Sequence, residues 1–116
     1  MKHLILLNDP PYGTERSFNG LRHAQALLRR ENVALRLFLI GGASACAKQG
    51  QKVPQGYYNV EIMLNQVVKH NAQIGVCGTC LDARGIAATE LITGCQRSNM
   101  DELAEWTVWA DKVLVY

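Results

Sequence analysis

The chain has 116 residues, 48% of them hydrophobic and 19% charged, with twelve Lys and Arg against ten Asp and Glu for a formal charge of +2. That length supports one domain able to bury roughly two-thirds of the surface its unfolded chain would expose, and the composition argues against disorder and repeat arrays. The basic residues are scattered rather than bunched, so nucleic acid is not an expected partner.

The first apolar run, His3 to Leu7, ends at Asn8-Asp9-Pro10-Pro11 and reads as a strand. It is far too short for a signal-peptide core or a membrane span, so a cytoplasmic protein without a membrane partner is expected. Thr14-Glu15-Arg16-Ser17 then opens an amphipathic helix with Phe18, Leu21, Ala24, Leu27 and Leu28 at helical spacing and Thr14 or Ser17 as its cap. Val33 to Ile40 is a second strand, stopped by Gly41-Gly42. Strand, helix and strand of these lengths make a parallel unit with a right-handed crossover.

The pattern recurs. Asn59 to His70 carries Val60, Met63, Leu64, Val67 and Val68 at helical spacing and leads into a short strand from Gln73 to Val76. Ile86 to Leu91 reads as helical and Ile92 to Gln96 as a short strand. Asp101 to Asp111 is a further helix, with Leu103, Trp106, Thr107 and Ala110 on one face, and Lys112 to Tyr116 is a closing strand. Alternation of this kind predicts a three-layer α/β domain over residues 1–116, with a mostly parallel sheet of four or five strands.

In such a sheet the working groups gather beyond the carboxyl ends of the strands. Three loops are expected there: Asn8 to Thr14, Gly41 to Gly56, and Cys77 to Arg84. They nominate Asn8, Tyr12, Gly13, Gly41 and Cys46 as pocket residues, together with Gly78 and Thr79 between the thiols of Cys77 and Cys80. A reducing cytosol makes the four cysteines poor candidates for a disulfide framework.

Three chemistries stay open for the Cys77-Gly78-Thr79-Cys80 segment. A thiolate on Cys77, at the change from strand to helix with Arg84 nearby, suits a sulfur carrier. Cys80 as a resolving thiol would make a dithiol redox pair. The pair is also half of a zinc site, but Cys46, Cys95, His3, His23 and His70 supply no second closely spaced pair, so no metal is expected. His23 and His70 read as solvated helix residues. No glycine-rich phosphate cradle is present, so no cofactor is expected either. Trp106 and Trp109 read as core or interface packing.

The ordered set Asn8-Asp9-Pro10-Pro11-Tyr12-Gly13, Leu37-Phe38-Leu39-Ile40-Gly41, Gly50-Gln51, Gly56-Tyr57-Tyr58-Asn59, Cys77-Gly78-Thr79-Cys80 with Arg84-Gly85-Ile86, Glu105-Trp106-Thr107 and Ala110-Asp111-Lys112-Val113-Leu114 spans nearly the whole chain. In this order and spacing it resembles the DsrE/DsrF/TusD-like sulfur-relay family, and within it the YchN-like branch. The resemblance implies a flavodoxin-like, DsrEFH-like fold, assembly into trimers or hexamers, and sulfur transfer between donor and acceptor proteins through a cysteine persulfide. Cys77 matches the sulfur-carrying cysteine of the relay members, with Arg84 as electrostatic support. Cys80 is an addition of the YchN-like branch. Gly42 stands where many relatives carry an acidic residue, so no carboxylate role is carried over. The reading is a persulfide carrier or sulfurtransferase using Cys77. Its alternatives are the dithiol redox protein and a non-catalytic oligomeric module that binds through its sheet edge and the Tyr57-Tyr58 loop.

Overall fold

The computed structural model describes residues 1–116. In chain order the elements are β1 (Lys2–Leu7), α1 (Arg16–Leu28), β2 (Ala34–Leu39), α2 (Val60–Lys69), β3 (Gln73–Cys77), α3 (Gly78–Ala83), β4 (Cys95–Ser98), α4 (Met100–Trp109) and β5 (Lys112–Val115). The sheet has five strands in the order β4-β3-β2-β1-β5, and every pairing is parallel.

This order dictates the layers. The steps from β1 to β2, β2 to β3 and β3 to β4 all run in one direction, so right-handed crossovers put α1, α2 and the β3–β4 connection on one face. The last connection turns back past β1, which sends α4 to the opposite face. The two faces are unequally covered. On the first, Ile5, Leu7, Leu37, Leu39, Ile74 and Val76 pack with Leu21, Leu64 and Leu81 in a core of 21 buried residues. On the second, Leu4, Phe38, Cys77 and Trp106 form a cluster of only four. Alternation along each strand assigns these sides, and Cys77 belongs to the thin one.

α1 lies close against the sheet because Gly20 faces it: a Cβ there would come within 2.4 Å of Leu7 Cδ2. α2 and α4 are capped by Asn59 and Asn99, whose side chains accept from the amides of Ile62 and Glu102.

Several local expectations are corrected. Neither Thr14 nor Ser17 caps α1: the Thr14 hydroxyl donates to Asp9 Oδ2 and the Ser17 hydroxyl to the Asp9 carbonyl, tying down the β1 loop instead. The loop after β2 is not open chain throughout, since Gly41–Ala47 winds as a 3-10 helix. Only Ala88–Glu90 of the expected Ile86 to Leu91 helix forms a 3-10 turn, and β4 begins at Cys95 rather than Ile92. Thr107 is exposed and returns its hydroxyl to the Leu103 carbonyl. His23 is half-buried, with Nδ1 2.7 Å from the Tyr116 hydroxyl, rather than solvated. Trp106 is buried, edge-on to Phe38, and Arg36 lies over both it and Trp109. No helix is long and apolar enough to cross a membrane.

Candidate functional site

Cys77 is the last residue of β3 and the N-cap of α3. Its sulfur therefore sits where the strand's carboxyl end meets a helix start, and the local fold supplies its partners. Cys80 N donates to Cys77 Sγ at 3.4 Å, and Thr79 Oγ1 lies 3.4 Å from the same sulfur. Gly41 N donates to Cys80 Sγ at 3.2 Å, so the loop after β2 reaches the pair through Cys80.

These contacts separate the two thiols. Burial pushes Cys77 up, but the Cys80 thiol, the Thr79 hydroxyl and the two backbone amides outweigh it and hold Cys77 below the usual thiol range. Burial and the adjacent Cys77 sulfur push Cys80 above that range, against the Gly41 amide and Arg84. The shifts run in opposite directions, so Cys77 loses its proton more readily than Cys80 and is the better nucleophile of the pair.

Cys77 lies in a groove of about 400 Å³. One wall is Cys77, Gly78 and Thr79; the other is Arg97, Ser98, Asn99 and Met100, from the end of β4 and the start of α4. Parallel register brings the walls together, because Cys77 pairs with Ser98 across the sheet. Arg97 Nη1 and Nη2 donate to the two Asp82 oxygens at 2.8 Å each. Those two bonds hold the Asp82 carboxyl below its usual range. The guanidinium rests on Gly78, where a Cβ would fall 2.8 Å from Arg97 Cζ and Nε. Arg84, by contrast, sits at the far end of α3 and donates to the Cys80 carbonyl at 3.1 Å.

The other nominated pocket residues lie elsewhere. Asn8 N and Nδ2 both donate to the Tyr116 carbonyl, at 3.1 and 2.9 Å, joining the ends of β1 and β5. Its own carbonyl accepts from Ala43, which places it one loop away from Gly41. The Tyr12 hydroxyl donates to Gln51 Oε1 at 2.7 Å, accepts from Val60 N, and pins the segment before α2. Gly13 takes φ +100° in an open turn. Cys46 is fully buried on the opposite face, with its thiol directed at the Asp9 carbonyl 3.9 Å away, and burial pushes it up to about 12. Cys95 is likewise buried and pushed to about 12. No group of His, Cys, Asp or Glu side chains is assembled in a way that could hold a metal ion.

Residues 97–100 were not among the nominated positions, and the signal for them was the strand boundary. With β4 placed over Ile92 to Gln96, Arg97 and Ser98 fall beyond it in an unassigned turn. With β4 ending at Ser98, its carboxyl end delivers them to the same sheet edge as Cys77.

A three-layer domain with an all-parallel sheet and a cysteine pair at its carboxyl edge defines the class. The chain belongs to the DsrE/DsrF-like family, whose model matches residues 1–116. It is 44% identical to Protein YchN of Escherichia coli over 116 residues, covering 99% of this chain and 98% of that one. It is 32% identical to an uncharacterized protein of Methanopyrus kandleri, covering 97% and 91%. Among solved structures, the crystal structure of the E. coli YchN protein superposes with a TM-score of 0.94 at 44% identity, covering 100% of this chain and 99% of that one. A protein of unknown function from Methanobacterium thermoautotrophicum gives 0.80 over the whole of both chains at 10% identity, a likeness of fold alone.

Proposed function

We propose that this protein is a small cytoplasmic sulfur carrier of the relay type, in which Cys77 accepts sulfur as a persulfide and passes it to a thiol of an acceptor protein. The observation that carries this reading is the environment of Cys77: a sulfur contacted by the Thr79 hydroxyl and the Cys80 amide, in the wall of a groove that Arg97 also lines. The Cys77 thiolate attacks the terminal sulfur of a donor persulfide. A new S–S bond forms as the donor's S–S bond breaks, and the donor thiolate leaves with the electron pair.

Incubation with a persulfide donor is expected to add one sulfur atom to Cys77, read by intact mass and peptide mapping, and Cys77→Ser is expected to abolish it. No adduct, under conditions where the same donor loads a known acceptor, overturns the reading.

The placement of Cys80 one helical turn from Cys77, with its amide on the Cys77 sulfur, favours a second reading, in which Cys80 attacks a Cys77 persulfide to give the Cys77–Cys80 disulfide and release hydrogen sulfide. Loss of two titratable thiols after sulfur loading, reversed by reductant, distinguishes it from simple carriage.

Assembly into a trimer or hexamer belongs to the same proposal. It is supported by Val113, Val115 and Val108, exposed at 41%, 62% and 87%. Val113 and Val115 lie on the sheet face that α4 alone covers. Sedimentation velocity tests it, and a monomer at micromolar concentration overturns it.

A further inference from the structure

The groove beside Cys77 has a chemical asymmetry that persulfide carriage by itself does not use. Cys77 is only 6% exposed, so a small donor reaches it through the groove more readily than a folded protein surface does. Its walls offer donors. Arg97 uses its two terminal nitrogens on Asp82 and keeps its remaining N–H groups and its charge. Asn99 accepts from Glu102 N through Oδ1, which leaves its amide Nδ2 without a protein partner.

The carboxylates nearby are both engaged. Asp82 is clamped to Arg97, and Glu102 accepts the Ser98 hydroxyl. The cation facing the groove is therefore Arg97. Arg84 is turned to the Cys80 carbonyl and is not part of the lining.

A thiolate on the groove floor repels an anionic donor, so a fixed cation beside it has a specific use: it offsets that repulsion and orients the donor. We propose that the groove takes a small dianionic sulfane-sulfur donor of the thiosulfate class, with Arg97, clamped by Asp82 against Gly78, binding the oxyanion end. This rests on the persulfide reading of Cys77 and names its donor.

The step balances without a further oxidant or reductant. The Cys77 thiolate attacks the outer sulfur of thiosulfate, a Cys77 S–S bond forms, and the donor's S–S bond breaks. Sulfite departs with the bonding pair, so the summed charge is the same on both sides. Arg97 stays on the sulfonate oxygens as charge accumulates there.

The full-length protein is incubated with thiosulfate or with cysteamine persulfide, whose end is cationic, and loading of Cys77 is followed by mass. Thiosulfate is expected to load the wild type, with excess sulfite slowing the reaction. Arg97→Gln is expected to reduce the thiosulfate rate about ten- to a hundredfold while changing the cysteamine persulfide rate much less, as loss of a charge-assisted contact predicts. Arg97→Lys recovers part of the loss, and Arg84→Gln leaves both rates near wild type. Equal slowing of both donors by Arg97→Gln would show that Arg97 acts on the thiol and not on the donor, and overturns the assignment. Loading by cysteamine persulfide with none by thiosulfate overturns the donor class and leaves the carrier standing. Failure of both donors removes the carrier reading itself.

Discussion

Cys77 and Cys80 are close in sequence and their thiols are shifted in opposite directions. The strand-to-helix turn aims the Cys80 amide at the Cys77 sulfur and leaves the Cys80 thiol beside it, while the Gly41 amide donates to the Cys80 sulfur. Removing the Cys80 thiol takes away one donor to the Cys77 thiolate and leaves the amide in place. Cys80→Ala is therefore expected to move the midpoint of Cys77 alkylation to higher pH and slow its modification at neutral pH, measured peptide by peptide with iodoacetamide. An unmoved midpoint would mean that the backbone amides and Thr79 alone hold the charge. Much of this was legible in the sequence, because a cysteine pair at a strand end is visible as a motif. The choice of cation was not. Arg84 is near in the chain, but a six-residue helix carries it to the far end of α3, whereas Arg97 is distant in sequence and adjacent through strand register.

At the scale of elements, close packing decides what helix propensity alone would get wrong. Gly20 is an interior residue of α1, where alanine would ordinarily stabilise by about 1 kcal/mol. Here the added methyl overlaps Leu7 and approaches the Tyr116 ring, so Gly20→Ala is expected to destabilise by about 1–3 kcal/mol in urea unfolding. A stabilised variant would show that α1 moves off the sheet without cost. The central strands were readable because they are continuous apolar runs, as strands covered on both faces must be. β4 was misplaced because it is an edge strand with few apolar residues: Cys95-Gln96-Arg97-Ser98 presents only its ends inward, and the preceding Leu91 and Ile92, which fill the core from a loop, draw the eye upstream. The Asn caps of α2 and α4 satisfy amides that would otherwise be orphaned, but Thr14 and Ser17 show that a capping residue type in the right place serves another loop when a carboxylate or carbonyl is nearer.

For the molecule as a whole, the thick face stores a pH liability. Cys46 and Cys95 are buried there and raised from the ordinary 9.0 to about 12. Above pH 9 the unfolded chain releases these protons and the folded chain keeps them, so the unfolded state binds fewer protons and stability falls as pH rises. The stabilisation is complete below about pH 9 and is lost progressively towards pH 12, at about 1.4 kcal/mol per pH unit for each thiol. Cys46→Ala is expected to lower stability near neutral pH through the lost packing contacts of the sulfur and yet to flatten its alkaline decline relative to wild type. Parallel slopes for the two proteins between pH 9 and 11 would contradict the role given to Cys46.

The place of β5 has a consequence for the order in which the molecule can assemble. β1 pairs with β2 on one side, a nearby partner, and with β5 on the other, where Ile5 meets Leu114. Until β5 docks, that edge of β1 presents unpaired N–H and C=O groups, a template for another chain's strand. Closing it pairs residues as far apart in the chain as His3 and Lys112, so that contact is expected late in folding, after the β1-to-β4 run has gathered. During synthesis β5 follows β1 to β4, and the interval before it docks is when the nascent sheet is most exposed to pairing with the wrong neighbour.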